Sequence, residues 1–268
     1  MSDIISSAAN PLVKRVRALA NRKHRQRTGS FVVEGIQPVW QAIEAGADVE
    51  VLLTAPELLA GSSALHMIAS QEAAGVAVAR VTGELFGRLS GRRRPSGLAA
   101  IVRAHPTQLD ALTVESDSLF VALHTLRNPG NLGTILRTAV SAGAHAVLLL
   151  DDCADPYAPE SVRASMGALF AVPIVALPDA NTFFNWALQH GVHIIGTSPS
   201  APQSHWAVGY PTPSALLLGN EQCGLPPEVL ARGDLRVRIP MVGTAESLNA
   251  AVAAAIMLYE MRRPAAER

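Results

Sequence analysis

The sequence predicts an α/β protein built in two unequal parts, and three observations carry that prediction. From Leu119 onward, short apolar runs alternate with stretches at helical spacing, the pattern of repeated βα units on a parallel sheet. Ahead of that region, residues 1–105 show a smaller mixed α/β pattern. The charge divides along the same line: the total is zero, yet residues 1–105 carry 13 Lys+Arg against 8 Asp+Glu, and residues 106–268 carry 9 against 14. The predicted organisation is a domain over 1–105, a polar linker over 106–117 with Pro106, Asp110, Glu115 and Asp117, and a domain over 118–268.

With 49% apolar and 16% charged residues in 268, the chain can bury substantial cores and does not read as disordered. No apolar run approaches the roughly 18 residues of a membrane span, and the N-terminus carries no apolar signal segment, so a soluble cytoplasmic protein is expected. Cys153 and Cys223 form neither a metal-binding spacing nor a disulfide framework and read as reduced bystanders.

In the first part, Leu12, Val13, Val16 and Leu19 recur at helical spacing amid Lys14, Arg15 and Arg17. This predicts a basic amphipathic helix running into a basic loop through Arg22, Lys23, Arg25 and Arg27, ending near Gly29. Strands are expected at Phe31–Val33, Val49–Leu53, Val76–Val81 and Leu98–Val102, with helices over 36–46 and 62–74. Arg92-Arg93-Arg94 lies between Gly91 and Pro95 and reads as a loop. One cluster of this kind is ordinarily a solvated face. Two in one domain point toward a polyanion such as RNA, gripped through Arg22, Lys23, Arg25, Arg27 and Arg93.

In the second part, strands are expected at Phe120–Leu123, Ala146–Leu150, Val172–Leu177, His193–Gly196, Ala215–Leu218 and Val237–Ile239. Their near-uniform apolar character suits parallel strands buried on both faces. Helices are expected over 131–142, with Asn131 at the cap, and over 160–169, 181–190, 226–231 and 247–262, the last starting at Ser247.

Three segments near strand ends stand out. Asn128-Pro129-Gly130-Asn131-Leu132-Gly133 through Arg137 is a tight turn feeding a helix, whose free N–H groups suit an anion. Leu218-Gly219-Asn220-Glu221-Gln222-Cys223-Gly224 is a buried strand ending in glycine, with Glu221 at its tip. Ile239-Pro240-Met241, then Ser247-Leu248-Asn249, joins a strand to an alanine-rich helix. Singly, each also reads as an ordinary capped helix or strand–turn connection. In open α/β sheets, however, ligands bind beyond the carboxyl ends of strands, where all three lie.

Together and in this order, the three segments resemble the motifs of the SpoU–TrmH family of RNA 2′-O-methyltransferases, of the SPOUT class, over residues 118–262. The stretch Arg27–Gly35 resembles the L30e-like substrate-binding domain of family members that modify rRNA. The resemblance implies a trefoil-knotted C-terminal domain, a homodimer with the active site completed across its interface, and S-adenosylmethionine as cofactor. It implies cofactor contacts at Gly219, Ile239 and Leu248, with Leu218, Thr197 and Met241 beside them. It implies catalytic or supporting roles for Arg137, Asn131, Glu221, Ser247 and Asn249. The implied activity is methyl transfer to a ribose 2′-hydroxyl, in ribosomal RNA rather than transfer RNA because of the extra N-terminal domain, and needs no metal.

Other readings fare worse. No G-x-G-x-x-G follows a strand and no G-x-x-x-x-G-K-[ST] is present, which disfavours dinucleotide-binding and P-loop enzymes. Asp151-Asp152 reads as a solvated turn before a metal or ribose contact, His124 and His145 read as structural, and no nucleophile elbow is present. A catalytically dead RNA-binding relative is disfavoured by the complete polar set.

Overall fold

A computed structural model describes residues 4–263, so the outermost ends of both predicted domains lie outside it. The chain forms two compact units. One holds the chain up to His105 together with Asp155–Phe170; the other holds Pro106–Ala154 and the chain from Ala171 onward.

The first unit opens with α1 (Pro11–Ala18) and α2 (Arg22–Thr28), followed by β1 (Ser30–Glu34), α3 (Ile36–Glu44), β2 (Val49–Thr54), α4 (Pro56–Leu59), α5 (Ala64–Ala73), β3 (Ala77–Arg80), α6 (Gly83–Leu89) and β4 (Leu98–Arg103). Its sheet has the order β1-β4-β2-β3, with β4 antiparallel to both neighbours and β2 parallel to β3. Helix α1 is amphipathic as expected: Val13 and Val16 join Leu53, Phe86 and Ile101 in the core, while Lys14 and Arg17 face solvent. The predicted basic loop is instead α2. It has no apolar stripe; Asn21 accepts from the Lys23 N–H at one end, and Gly29 closes the other at φ 65°, which glycine adopts without strain.

The second unit begins with β5 (Leu119–His124), α7 (Pro129–Ser141) and β6 (Ala146–Leu150). Helix α8 (Pro159–Ser165) then belongs to the first unit, and the second resumes with β7 (Ile174–Leu177), α9 (Ala180–Gln189), β8 (His193–Thr197), β9 (Gln203–Ser204), β10 (Ser214–Leu218), α10 (Pro227–Leu230), β11 (Leu235–Arg238) and α11 (Ala250–Arg262). All seven strands are parallel, in the order β7-β6-β5-β10-β8-β11-β9. The uniform apolar runs of β5, β6 and β10 are fully buried, as parallel strands covered on both faces should be. The two-residue β9 is too short to leave a sequence signal.

The segment Asp155–Phe170 is the largest departure from the predicted division. Its placement follows from side chains: Asp155 pairs with Arg25, and the Tyr157 and Phe170 rings lie 4.7 and 6.1 Å from Phe31. Arg25, expected to face RNA, is therefore a correction. It is 6% exposed, its Nε and Nη2 donate to Asp155 at 3.0 and 2.6 Å, and its Nη1 donates to the carbonyls of Leu19 and Ala20. A guanidinium so enclosed is a strut, with no face left for a phosphate.

Candidate functional site

The site lies at the carboxyl ends of the second unit's strands. Strand β10 runs between β5 and β8, but its pairing with β8 stops at Leu217 while its pairing with β5 continues to Leu218. The sheet parts there, and a cleft of about 270 Å³ opens, lined by Thr197, Leu218, Gly219, Ile239, Met241 and Leu248 among others. These are the six residues at which cofactor contact was expected.

Past Leu218 the chain folds back on itself. Asn220 and Gly224 exchange backbone hydrogen bonds of 3.0 and 2.9 Å, and the Asn220 side chain accepts from the Gln222 and Cys223 N–H groups. Only glycine fits at 219, because a Cβ there would sit 2.2 Å from the Gly224 carbonyl carbon and 2.3 Å from the Leu225 nitrogen. Asn220 Nδ2 also donates to the carbonyl of Thr125, tying this turn to the end of β5.

The turn delivers Glu221 to the start of α7. Its Oε2 accepts from the Arg127 N–H at 3.0 Å; its Oε1 accepts from the Asn128 N–H at 2.9 Å and from Asn131 Nδ2 at 3.1 Å. Burial opposes ionisation of this carboxyl, but the Arg127 and Asn128 N–H groups, with Glu221's own N–H and the Asn131 amide, outweigh it and hold its pKa below the ordinary carboxylate value. Asn131 in turn accepts from Asn249 Nδ2 at 2.9 Å. One hydrogen-bonded chain, Glu221–Asn131–Asn249, thus joins the three segments singled out in the sequence.

Two expected helix starts shift. Helix α7 begins at Pro129 with Asn128 as its cap, accepting from the Asn131 N–H at 3.0 Å; proline at the first position loses no hydrogen bond, so the helix starts earlier than predicted. Asn131 is therefore inside the first turn. Helix α11 begins at Ala250, and Asn249 rather than Ser247 caps it, accepting from the Ala251 and Val252 N–H groups. Ser247 lies in the preceding loop, exposed, on the wall of the cleft.

Arg137 is not drawn into this chain. It is exposed on α7, and among the described residues its guanidinium has no hydrogen-bond or ion-pair partner. Asp151 and Asp152 are not merely solvated: the first lies 3.0 Å from His124 Nε2 and the second pairs with Arg127. Of the residues expected at RNA, Arg22, Lys23, Arg27 and Arg93 are exposed on the first unit. Sequence reasoning missed Arg127 and Asn128 as the backbone donors that seat Glu221; an N–H group has no residue signature.

Residues 118–259 match the model of the SpoU rRNA Methylase family, and residues 10–100 match an MRM3-like substrate binding domain. The chain is 34% identical over 251 residues to the 23S rRNA (uridine(2479)-2′-O)-methyltransferase of Streptomyces viridochromogenes, covering 91% of this chain and 86% of that one. It is 31% identical over 260 residues to the 23S rRNA (guanosine(2553)-2′-O)-methyltransferase of Bacillus subtilis, covering 96% and 98%. The crystal structure of an AdoMet-bound rRNA methyltransferase from Sinorhizobium meliloti superposes with a TM-score of 0.88 at 35% identity, covering 97% of each chain. A parallel α/β unit with a three-segment site at its strand ends, in a chain that also carries a separate substrate-binding unit, is the build of an RNA methyltransferase. This chain belongs to the SpoU rRNA methylase family.

Proposed function

We propose that this protein transfers the methyl group of S-adenosylmethionine to a ribose 2′-hydroxyl of ribosomal RNA. The observation that carries the reading is the chain Glu221–Asn131–Asn249, which joins all three motif segments beside a cleft lined by Gly219, Ile239 and Leu248. The two curated relatives are named for 2′-O-methylation of 23S rRNA, one at a uridine and one at a guanosine, so ribose chemistry is their common part. The matched family is described by its rRNA substrates and both relatives are named for 23S rRNA, which favours ribosomal over transfer RNA.

The cleft suits this cofactor. Leu218, Ile239, Met241 and Leu248 offer apolar walls for an adenine, while Thr197 and Ser247 offer hydroxyls. Among the described lining residues Glu221 and Glu246 are acidic and none is basic, which fits a sulfonium and would repel the phosphates of a dinucleotide. Bound there, S-adenosylmethionine supplies an already activated methyl group. The protein's task is then to align the ribose oxygen and stabilise it as its proton leaves. Glu221 fixes the turn at 127–131, and the Asn131 and Asn249 amides hold the ribose side of the cleft. Arg137 is the group for the developing alkoxide. A guanidinium can serve there as the stabilising cation, while water or an RNA phosphate takes the proton.

Arg137 lies apart from the cleft lining, which supports a homodimer in which α7 of one protomer completes the cleft of its partner. Helix α11 carries a stripe for such an interface: Val252 and Tyr259 are 48% and 57% exposed, with the half-buried Ala255 and Ile256 between them. The insertion of β10 between β5 and β8 supports the knotted path implied by the family. The described residues contain no helix long and apolar enough to cross a membrane, in keeping with work on cytoplasmic ribosomes. Arg137→Ala tests the assignment: methyl transfer to rRNA should fall to background while calorimetry records unchanged cofactor binding, and near-normal turnover would refute it.

A further inference from the structure

The first unit contains a second cleft, also of about 270 Å³, that the methyl-transfer reading leaves unused. Its floor is apolar, made by Val16 of α1, Val32 of β1, Leu89 of α6 and Val162 of α8. Its rim carries Arg92 and Arg163 together with the carboxylates of Glu34 and Glu160. Apolar walls this close would ordinarily collapse onto one another. Here α8 is pinned on both sides of the opening: Arg25 holds Asp155 ahead of it, and Arg163 Nη1 donates to the Gly91 carbonyl at 3.0 Å.

The rim is fixed as well. Glu34 accepts from the Ser90 hydroxyl and, at 3.1 Å, from the Gly91 N–H, and the Glu34 carbonyl accepts from Arg92 Nη2 at 2.8 Å. Glu34 is thereby committed to the loop and lies 4.0 Å from Arg92 Nε; Arg92 and Arg163 still leave part of each five-donor guanidinium unused. Arg93 and Arg94 follow Arg92, and Lys14 and Arg17 are exposed on α1, so exposed basic side chains on these segments outnumber the two carboxylates of the lining.

We propose that this cleft seats one unstacked nucleotide of the substrate RNA, its base against Val32, Leu89 and Val162 and its phosphate across Arg92 and Arg163. The proposal rests on the rRNA reading above and adds a recognition site to it. The chemistry selects the occupant: an apolar slot takes a flat base, a guanidinium pair takes a phosphate, and a cleft of about 270 Å³ admits a splayed base but no duplex. The enzyme would therefore recognise an unpaired loop or bulge with this unit while the second unit handles the target ribose.

Ala20 lines the cleft and is exposed, so Ala20→Trp can fill the mouth without disturbing the core. Arg163→Gln removes the phosphate fork at a second exposed position. The measurements are filter binding of protein-free large-subunit rRNA, calorimetry with S-adenosylmethionine, and the melting temperature of each full-length variant. Each variant should bind rRNA about tenfold more weakly, the size expected for one base left unseated, with cofactor affinity unchanged in both and melting unchanged in Ala20→Trp. If Ala20→Trp binds rRNA as tightly as the parent protein, or more tightly, the cleft is a packing void and the proposal is overturned. If the parent protein binds S-adenosylmethionine but retains no rRNA, the ribosomal reading falls and this proposal with it.

Discussion

Glu221 and Asn131 are joined by a 3.1 Å hydrogen bond across 90 positions of sequence, and the same carboxylate accepts two backbone N–H groups of the turn that precedes Asn131. Glu221 is thus the residue that holds one motif segment against another. Replacing it by Gln keeps its size but removes the charge and one acceptor, leaving an N–H group of the turn without its partner. Glu221→Gln should lower the turnover of methyl transfer by about a hundredfold, the size expected when reacting groups are misplaced by an ångström. Single-turnover kinetics with saturating cofactor would check it.

The same carboxyl predicts an acid dependence. Its folded pKa is depressed, so its contribution to stability is present above the ordinary carboxylate value and is lost as pH falls through the folded pKa. The difference in melting temperature between the parent protein and Glu221→Gln should be constant near neutrality and shrink below about pH 4. A difference that grows toward acid would assign the shift to another group.

Gly219 offers a sharper structural test. A methyl group there would lie within 2.4 Å of three backbone atoms of Gly224 and Leu225, none of which can turn aside as a side chain can. Gly219→Ala must break the paired hydrogen bonds between Asn220 and Gly224 and move the wall of the cleft. Cofactor affinity should fall by more than about tenfold, and stability by about 1–3 kcal/mol, the usual cost of overpacking. Calorimetry and denaturant unfolding read the two separately.

How far the sequence could be read depended on where each signal lay. Strands β5, β6 and β10 were legible because burial on both faces leaves an unbroken apolar run. Helix α2 was not, since its cohesion comes from the Asn21 and Gly29 caps and from a buried arginine where an apolar residue would be expected. Gly219, Ile239 and Leu248 were expected at the cofactor through the family resemblance of the three segments, whereas the partners of Glu221 are mostly backbone groups and carry no such mark. The pairing of Asp155 with Arg25 spans 130 positions, so nothing local to either residue marks Asp155–Phe170 as part of the first unit.

That pairing separates two uses of arginine on neighbouring positions. Arg25 is buried against Asp155, so Arg25→Met should cost about 3–5 kcal/mol by stranding a carboxylate that is 13% exposed. Lys23 and Arg27 are exposed on the same helix, and reversing either should leave stability nearly unchanged. Each reversal should instead reduce the dependence of log affinity for rRNA on log salt by about 0.9 for every phosphate no longer neutralised. Urea unfolding and salt titration of binding distinguish these outcomes, and an unchanged salt slope would remove α2 from the RNA surface.

Arg137 carries the most demanding prediction, because among the described residues of its own protomer its guanidinium has no partner. If α7 completes the partner's cleft, a protein lacking Arg137 and a protein lacking Glu221 should rescue one another in mixed dimers, since one of the two clefts then contains both residues. Mixing Arg137→Ala with Glu221→Gln under conditions that exchange subunits should restore up to about a quarter of the parent's methyl transfer, given that half of the dimers are mixed and each has one intact site. If each protomer instead works alone, mixing restores nothing beyond the sum of the two variants. Arg137→Lys adds a check on the role. Lysine keeps the charge but loses the planar fork, so partial activity would assign Arg137 to electrostatic stabilisation, and none would assign it to oriented hydrogen bonding to the ribose oxygen or its phosphate.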